Sequence, residues 1–320
     1  MKCLDKEAKK DLFNKVVYWV INPWVLIIVF VFIFTPSCKI LKAIETSADF
    51  LNIVPGARPS GVANSFTGVF KDLNSVYFNP AGLAWIDRGE LSLAHCDLFM
   101  NEKYDFASFG LPFRGIVSAF TISRLDHGGF QSRDENGRIS GSFNASDTLI
   151  GISFARFIGY NSAIGAGIKF LSSEIAEYNA RTFAFDLGFL QRINGLPVSF
   201  GFSIRNIGKG MKFIDERENL PLSINAGLLF RPFSFMDLTL DIKHLVYDKE
   251  TYLSIGTEYN LFGGLFLRGG YSTGIFSSGS DLFKNFSGGI GLNLSNIQID
   301  YSLTPSEFGT FQRFSFDYRF

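Results

Sequence analysis

The sequence predicts an all-β protein: a 14-stranded antiparallel transmembrane β-barrel with an N-terminal hatch segment, a short helix plus irregular chain, in its lumen. Three observations predict this fold. Apolar and polar residues alternate beyond Arg88, short and longer connections alternate between these stretches, and the chain ends in an aromatic strand on Phe320. A charged fraction of 19% and 37 phenylalanines suit strands whose outer face meets lipid.

Residues 1–48 are predicted to be a signal peptide. The positively charged start is followed by the apolar run 24–34, which is too short to cross a bilayer as a helix. Two cleavage sites stay open: the small residues 46–48, and residues 35–38, which resemble a poor lipobox that would lipidate Cys38. An uncleaved anchor is the alternative to a signal peptide.

Residues 49–87 are predicted to form the hatch. Glycine and proline punctuate residues 50–61, and a short helix is expected over Val62–Leu73. The segment is too irregular to face lipid, where every backbone polar group needs a partner. It is therefore expected inside or beneath the barrel.

Residues 88–320 are predicted to form the barrel, and fourteen stretches in this part of the chain have a period of two. Their approximate ranges are 89–96, 103–111, 115–124, 147–158, 162–173, 180–192, 197–206, 221–231, 235–246, 250–260, 264–273, 284–294, 296–303 and 310–320. Lipid-facing side chains are expected at Phe183, Phe185, Phe189, Phe200 and Phe202, and lumen-facing ones at Asp186, Arg205, Asp241 and Lys243.

The connections between these stretches are sorted by length. Every second connection is a tight turn, whereas the others include the longer polar stretches 126–146, 208–219 and 273–281. This asymmetry is typical of outer-membrane barrels, whose short turns face the periplasm. The alternative, a large soluble β-protein, would bury the phenylalanine face in a core.

The last strand places aromatic residues at every second position, including Phe316, Tyr318 and Phe320. It resembles the C-terminal signal that the outer-membrane barrel assembly machinery reads. This implies a multi-pass barrel in the outer membrane of a diderm bacterium. The expected partners are then outer-membrane lipid and that machinery.

A pair of motifs in the hatch carries a family resemblance. The motif residues are Gly56, Arg58, Gly61, Asp72, Asn79, Pro80, Ala81 and Gly82. In this order, the motifs resemble the N-terminal region of the PorV/PorQ family and, more distantly, the FadL-type long-chain fatty-acid transporters. The resemblance implies that Asn79-Pro80-Ala81 lies against an inward kink of the third strand, at Arg114–Arg124, beside a lateral opening. Alternatively, Asn79-Pro80 is only a turn that seats the hatch.

Two functions follow from this resemblance. The first is a FadL-like transport barrel that passes small hydrophobic compounds across the outer membrane. The alternative is a type IX secretion component of the PorV kind, which binds secreted proteins. A continuous apolar path through the lumen would favour transport, whereas a sealed polar lumen would favour binding.

Other functions are not expected. The pattern Gly270–Gly274 matches a serine nucleophile motif but lacks the helix and the histidine that the chemistry needs. The histidines His95, His127 and His244 are scattered and form no metal cluster in the sequence. We therefore expect no enzyme activity, no cofactor and no metal. The zero formal net charge argues against a nucleic-acid partner.

Overall fold

The computed structural model describes residues 46–273, 285–306 and 309–320. Most of the predicted signal peptide, including Cys38, lies outside the described residues, as does most of the predicted loop 273–281. Among the described residues, no helix has the length and apolar character needed to cross a membrane.

Fourteen antiparallel strands close into a single barrel within the described residues, which confirms the predicted fold. The barrel strands are β1 (Glu90–Asp97), β2 (Lys103–Phe113), β3 (Ile116–Arg133), β4 (Ile139–Phe157), β5 (Ser162–Ile175), β6 (Tyr178–Arg192), β7 (Val198–Gly208), β10 (Ser223–Phe233), β11 (Met236–Leu245), β12 (Glu250–Phe262), β13 (Leu265–Ser272), β14 (Phe286–Leu294), β15 (Ile297–Ser306) and β16 (Gly309–Arg319). Each barrel strand pairs with its neighbours in chain order, and β1 pairs with β16 to close the barrel.

The two ends of the barrel differ. The tight turns between β2 and β3, β4 and β5, β6 and β7, β10 and β11, β12 and β13, and β14 and β15 lie at one end, here called the short-turn end. The opposite, long-loop end carries the β3–β4 connection and the small hairpin β8 (Met211–Phe213) and β9 (Glu216–Glu218).

The two faces of the wall are sorted as the period of two predicts. Phe183, Phe185, Phe200 and Phe202 are exposed on the outer face, and Phe189 is half-buried on the same face. The predicted lumen residues Asp186, Arg205 and Asp241 are buried, and the half-buried Lys243 donates a hydrogen bond to the hatch residue Asn52. The predicted facing is confirmed.

The predicted loop 126–146 is wrong in part, because β3 and β4 continue beyond the rest of the barrel as a hairpin. A turn closes it, with the Asp134 N–H donating to the Arg138 carbonyl at 2.9 Å. The rings of Phe130 and Phe143 stack across the hairpin with centroids 5.3 Å apart. Cross-strand aromatic pairs stabilise the pairing of two strands. The residues around these two rings are mostly polar, so the alternation of apolar and polar residues that marks a strand is not visible in this part of the sequence.

The hatch fills the lumen and crosses the barrel from end to end. At the long-loop end the Ser47 N–H donates to the Asn219 carbonyl at 2.8 Å, and the chain leaves at the short-turn end before β1. The helices among the described residues are the 3-10 helices Asp49–Asn52, Pro80–Trp85 and Phe99–Asn101 and the short α-helices α1 (Ala57–Gly61) and α2 (Ser75–Phe78).

The expected helix over Val62–Leu73 is not formed. Ala63, Asn64 and Lys71 have φ angles of 54°, 64° and 62°, which a right-handed helix does not allow. Lumen contacts replace the helix, because backbone N–H groups of this stretch are bound by a side chain of the barrel wall. Tertiary contacts thus override the local preference.

Candidate functional site

The hatch is held to one side of the barrel by a buried ionic network that centres on Arg58. One of its terminal nitrogens, Nη1, pairs with Asp72 Oδ2 at 2.5 Å, and the other, Nη2, pairs with Glu258 Oε1 of β12 at 2.8 Å. Burial alone would lower the pKa of the Arg58 guanidinium, but attraction to Glu258 and Asp72 raises it well above its ordinary value. Arg58 is thus paired with two carboxylates.

The network continues into the barrel wall. Arg268 of β13 pairs with Glu258 and, through Nη1, with Asp300 Oδ1 of β15 at 2.7 Å. Gln298 donates to the other oxygen of Asp300 at 2.8 Å. Buried charges need partners of this kind, because an isolated charge in a dry interior is costly.

A second polar anchor joins the hatch to β11. Asp241 Oδ2 accepts hydrogen bonds from the backbone N–H groups of Phe66 at 2.9 Å and Thr67 at 2.7 Å. Both N–H groups belong to the irregular stretch that replaces the expected helix. Asp241 therefore satisfies donors that a helix would have used internally.

Asn79 holds three parts of the structure together. Its amide nitrogen donates to the carbonyls of Thr67 at 3.0 Å and of Phe189, on β6, at 2.9 Å. Its side-chain oxygen accepts from the Ala81 N–H at 3.1 Å, which caps the 3-10 helix that Pro80 begins. The side chain is fully buried. Asn79 therefore pairs with backbone groups of the hatch and of the wall.

The wall beneath this turn is made of glycines. A Cβ atom built on Gly165 of β5 would lie 2.3 Å from the Pro80 carbonyl carbon, and one on Gly201 of β7 would lie 2.0 Å from the Thr67 carbonyl oxygen. One on Gly188 of β6 would meet the Asn79 side chain. Only glycine allows the hatch backbone to approach these strands so closely.

The predicted contact of this turn with Arg114–Arg124 of the third strand stays a prediction: Asn79 and Pro80 approach glycines of β5–β7 most closely, while the 3-10 helix Pro80–Trp85 also contacts β3. The glycines that admit the turn lie on β5, β6 and β7, whereas β3 presents side chains such as Val117 and Ala119 to the lumen. The strand β3 pairs with β2 without a register shift from Ile116 to Asp126, and the expected inward kink stays a prediction.

We expect Asn79→Ala to loosen the hatch while the barrel still assembles. The substitution leaves the Thr67 and Phe189 carbonyls and the Ala81 N–H without this partner, and each unsatisfied buried group costs about 1–3 kcal/mol. Liposome permeation should rise, while heat-modifiable gel migration should stay that of a folded barrel. A variant that folds and conducts like wild type would mean that the turn only seats the chain.

The glycines of the hatch motif have tight packing roles. A Cβ on Gly56 would lie 2.2 Å from Asn74 Oδ1, one on Gly61 would lie 3.3 Å from the Gly289 Cα of β14, and one on Gly82 would lie 2.6 Å from Ser75 Oγ. Asp72, between them, also accepts from the Asn74 N–H at 2.7 Å. The motif residues therefore build the hatch and attach it to the wall, although they do not gather around one ligand site.

The other side of the hatch has a different character. A connected cluster of buried apolar side chains joins it to the wall, mainly to β1–β6, and we call this contact the apolar seam. Its hatch members include Phe50, Leu51, Leu73, Val76 and Leu83, and its wall members include Tyr104, Phe106, Val117, Ala119, Ala155, Ala163 and Leu171. The same cluster reaches Met211 and Leu220 at the long-loop end and Ile86 at the short-turn end.

A small cavity of about 40 Å³ interrupts the seam between the hatch and the wall. Phe50, Leu51 and Val76 line it from the hatch, and Phe106 and Leu149 line it from the wall. The space holds little more than a water molecule, so this cavity admits no larger solute in this conformation.

The polar edge of this cavity is formed by Lys169, Asp186 and Arg205. Lys169 Nζ pairs with Asp186 Oδ2 at 2.7 Å, and the Arg205 guanidinium lies 4.0 Å from the ring centroid of Tyr77. The Nε atom of Arg205 has no hydrogen-bond partner among the described residues. The ladder between β6 and β7 shifts register here, where Asn206 has a φ of 61° and its N–H donates to Asp186.

Sequence reasoning missed the wall half of this site. Arg205, Asp186 and Asp241 were expected in the lumen, but neither Glu258 nor the wall glycines were singled out. Glycine and acidic residues at lumen-facing positions of neighbouring strands are the signal that would have found them.

The C-terminal residues lie at the closing seam of the barrel. The Phe320 N–H donates to the Gly89 carbonyl at 2.9 Å, and the Phe320 ring lies 5.9 Å from those of Phe109 and Tyr318. Phe316 and Tyr318 face outward. Recognition of these residues by the assembly machinery stays a prediction.

Comparison with solved structures identifies similar barrels. The Pseudomonas putida toluene transporter TodX has a TM-score of 0.60 and 13% identity over 82% of this chain and 96% of its own. The CymD monoaromatic hydrocarbon channel has a TM-score of 0.60 and 11% identity over 83% and 97%. A Pseudomonas aeruginosa FadL homologue has a TM-score of 0.55 and 12% identity over 83% and 98%.

These similarities establish a FadL-like barrel fold. No protein-family model and no curated protein matches the sequence. The structural matches do not support the more specific resemblance to PorV/PorQ, and the secreted-protein-binding alternative is not favoured.

Proposed function

We propose that this chain is an outer-membrane channel, closed by the hatch of residues 49–87, that passes small hydrophobic compounds across the outer membrane of a diderm bacterium. The short-turn end faces the periplasm in this proposal. The FadL-like fold supports it, because the structures with this fold include a toluene transporter and a monoaromatic hydrocarbon channel.

The observation that carries the proposal is the apolar seam. It links the long-loop end to the short-turn end through buried apolar side chains, from Met211 and Leu220 to Ile86. A water-filled pore would be lined by polar side chains along its length. An apolar solute gains by contact with such a seam, because burial of apolar surface is favourable by about 25 cal/mol per Å².

The attachment of the hatch is asymmetric, and this suggests how the path opens. Arg58 and the backbone of Phe66 and Thr67 bind carboxylates of β11 and β12. The β2–β4 side is held by apolar contacts and contains the cavity. Since non-directional contacts reform more easily than buried ion pairs, a solute displaces the hatch on the seam side while the anchors persist.

The test is a comparison of solute fluxes in vesicles whose outer leaflet is lipopolysaccharide. Such a leaflet slows passive entry of toluene, so vesicles that contain the purified barrel should take up toluene faster than empty vesicles. Sucrose uptake should remain close to that of empty vesicles. Rapid sucrose entry, or toluene entry no faster than in empty vesicles, would refute a channel for apolar compounds.

We expect Gly151→Leu to reduce apolar uptake severalfold without affecting barrel assembly. Gly151 lines the cavity, and a Cβ added there meets its nearest neighbour, Lys169 Cγ, at 3.4 Å, which is an ordinary contact. The leucine would then occupy the cavity. Gly269→Leu is the matched control, because no atom lies within 4 Å of a Cβ at Gly269. Equal uptake by both variants would exclude the cavity from the path.

A further inference from the structure

The outer face of the wall carries a polar row across four neighbouring strands near the long-loop end. Arg124 of β3 lies opposite Thr148 of β4, and Thr148 lies opposite Ser172 of β5. Ser172 in turn lies opposite Arg181 of β6. Both arginines are exposed, and the two residues between them are half-buried. The row therefore places a guanidinium at each end and hydroxyl groups in the middle.

Two apolar rows follow directly beneath this polar row, toward the short-turn end. They consist of Ile122, Ile150, Phe170 and Phe183 in the first row and Phe120, Ile152, Ile168 and Phe185 in the second. Phe170 is half-buried, and the others are exposed on the outer face. The rings of Phe170 and Phe183 pack with their centroids 5.3 Å apart. This surface fits acyl chains, while the polar row above it fits a head group.

The two arginines of the polar row are available to a ligand. Neither side chain forms a hydrogen bond or an ion pair within the part of the chain that the structure describes. Asp105, which lies opposite Arg124 on β2, is held by His95, whose Nδ1 is 2.7 Å from Asp105 Oδ1. The acidic residues of the next row, Asp126 and Glu174, lie two positions further along β3 and β5, about 7 Å toward the loops. The polar row itself is thus positive, with one charge at each end.

The depth of the polar row in the membrane fits the head-group region of the outer leaflet. Arg124 is the ninth residue of β3 counted from Ile116, where the strand leaves the short turn. A tilted strand crosses the hydrocarbon core in about 9–11 residues, so the row lies near the interface at the long-loop end. In the orientation of the proposed function, on which this inference rests, that end faces outward. The lipid that meets the row is then lipopolysaccharide.

We propose that this surface is a specific site for the lipid A part of lipopolysaccharide, a disaccharide with a phosphate at each end and several acyl chains. One phosphate binds the Arg124 guanidinium, and the other binds that of Arg181. The sugar and ester groups between them hydrogen-bond to Thr148 and Ser172, and the acyl chains lie on the apolar rows. Neighbouring strands are about 4.8 Å apart, so the two arginines stand about 14 Å apart along the row. A glycerophospholipid with a single phosphate cannot contact both.

The test is competition binding of lipids to the purified full barrel in detergent, measured by native mass spectrometry. Bisphosphorylated lipid A, monophosphorylated lipid A with the same acyl chains, and phosphatidylglycerol are offered at equal concentration. Wild type should retain the bisphosphorylated form about tenfold over the other two, because only this form makes the second charge-assisted contact. Binding is measured without transport, so this result and the uptake of toluene can fail separately.

Arg124→Gln and Arg181→Gln should each reduce retention of bisphosphorylated lipid A about tenfold and remove its advantage over the monophosphorylated form. Arg156→Gln is the matched control, because Arg156 is exposed on the outer face of β4 at the short-turn end, away from the polar row. All three variants should show the heat-modifiable migration of a folded barrel. Equal retention of the two lipid A forms by wild type would overturn the proposal. Retention by either row variant at the control level would also overturn it, since the arginines would then only extend toward the interface.

Discussion

Gly165→Ala is expected to displace the hatch from the wall and to make the barrel conduct ions. The added Cβ would lie 2.3–2.4 Å from backbone atoms of Pro80 and Ala81, which cannot rotate away as the end of a side chain can. Overpacking of a rigid contact costs typically about 1–3 kcal/mol. Single-channel recording in planar bilayers should show openings severalfold more frequent than in wild type.

The matched control is Gly269→Ala, where the same methyl group meets open space. Both variants should assemble and show heat-modifiable migration, because neither substitution alters the pairing of the strands. Similar conductance for the two variants would show that the β5–β7 glycines do not determine the position of the hatch.

Arg58→Met is expected to have the largest effect on hatch stability. It removes the cation that pairs with both Asp72 and Glu258 and leaves their carboxylates with fewer partners in a buried site. Removal of one partner of a buried pair typically costs about 3–5 kcal/mol. Hydrogen exchange of hatch amides, measured by mass spectrometry, should accelerate strongly in residues 49–87, while exchange in the strands stays slow.

Two further variants separate this effect from a general loss of charge. Lys71→Met breaks the exposed pair with Asp87 and should cost about 1 kcal/mol or less. Adding Asp72→Asn to Arg58→Met should restore part of the protection, since it removes the carboxylate whose ion pair with Arg58 is lost, whereas Glu258 keeps its pair with Arg268. Unchanged exchange in Arg58→Met would contradict the anchoring role of the network.

The strands of the barrel could be predicted from the sequence because the pattern that marks each strand lies within a few neighbouring residues. A strand that faces lipid on one side alternates its residues with a period of two, and the tight turns mark where each strand ends. This is why the strands around Phe183 and Phe200 were placed correctly. The β3–β4 hairpin was underestimated because its outer part is rich in glycine and serine, and only the Phe130–Phe143 pair marks the pairing.

The hatch was predictable in location but not in conformation. Its backbone follows the partners that the wall offers, such as Asp241 for the N–H groups of Phe66 and Thr67. Those partners lie more than 170 positions away in the sequence, as do Arg58 and Glu258. The glycines of β5–β7 that admit the Asn79 turn were likewise not predicted, because the close approach depends on how these strands curve around the hatch.

The central claim is that apolar solutes pass along the seam while the anchors on the opposite side stay in place. It is tested by tethering the hatch to the wall at two sites in a Cys96→Ala background. One pair, Leu73→Cys with Gly110→Cys, crosses the seam, since a Cβ at Gly110 would lie 3.8 Å from Leu73 Cγ. The other, Ala57→Cys with Ser315→Cys, lies on the anchored side, where the Ala57 N–H donates to Ser315 Oγ at 3.3 Å.

The measurement is uptake of the apolar solute by vesicles before and after a short thiol cross-linker is added, with a reducible linker to reverse the tether. The account predicts that the tether at residues 73 and 110 abolishes uptake, that reduction restores it, and that the tether at residues 57 and 315 leaves uptake unchanged. Undiminished uptake with the seam tethered, or uptake blocked only by the tether on the anchored side, would contradict it.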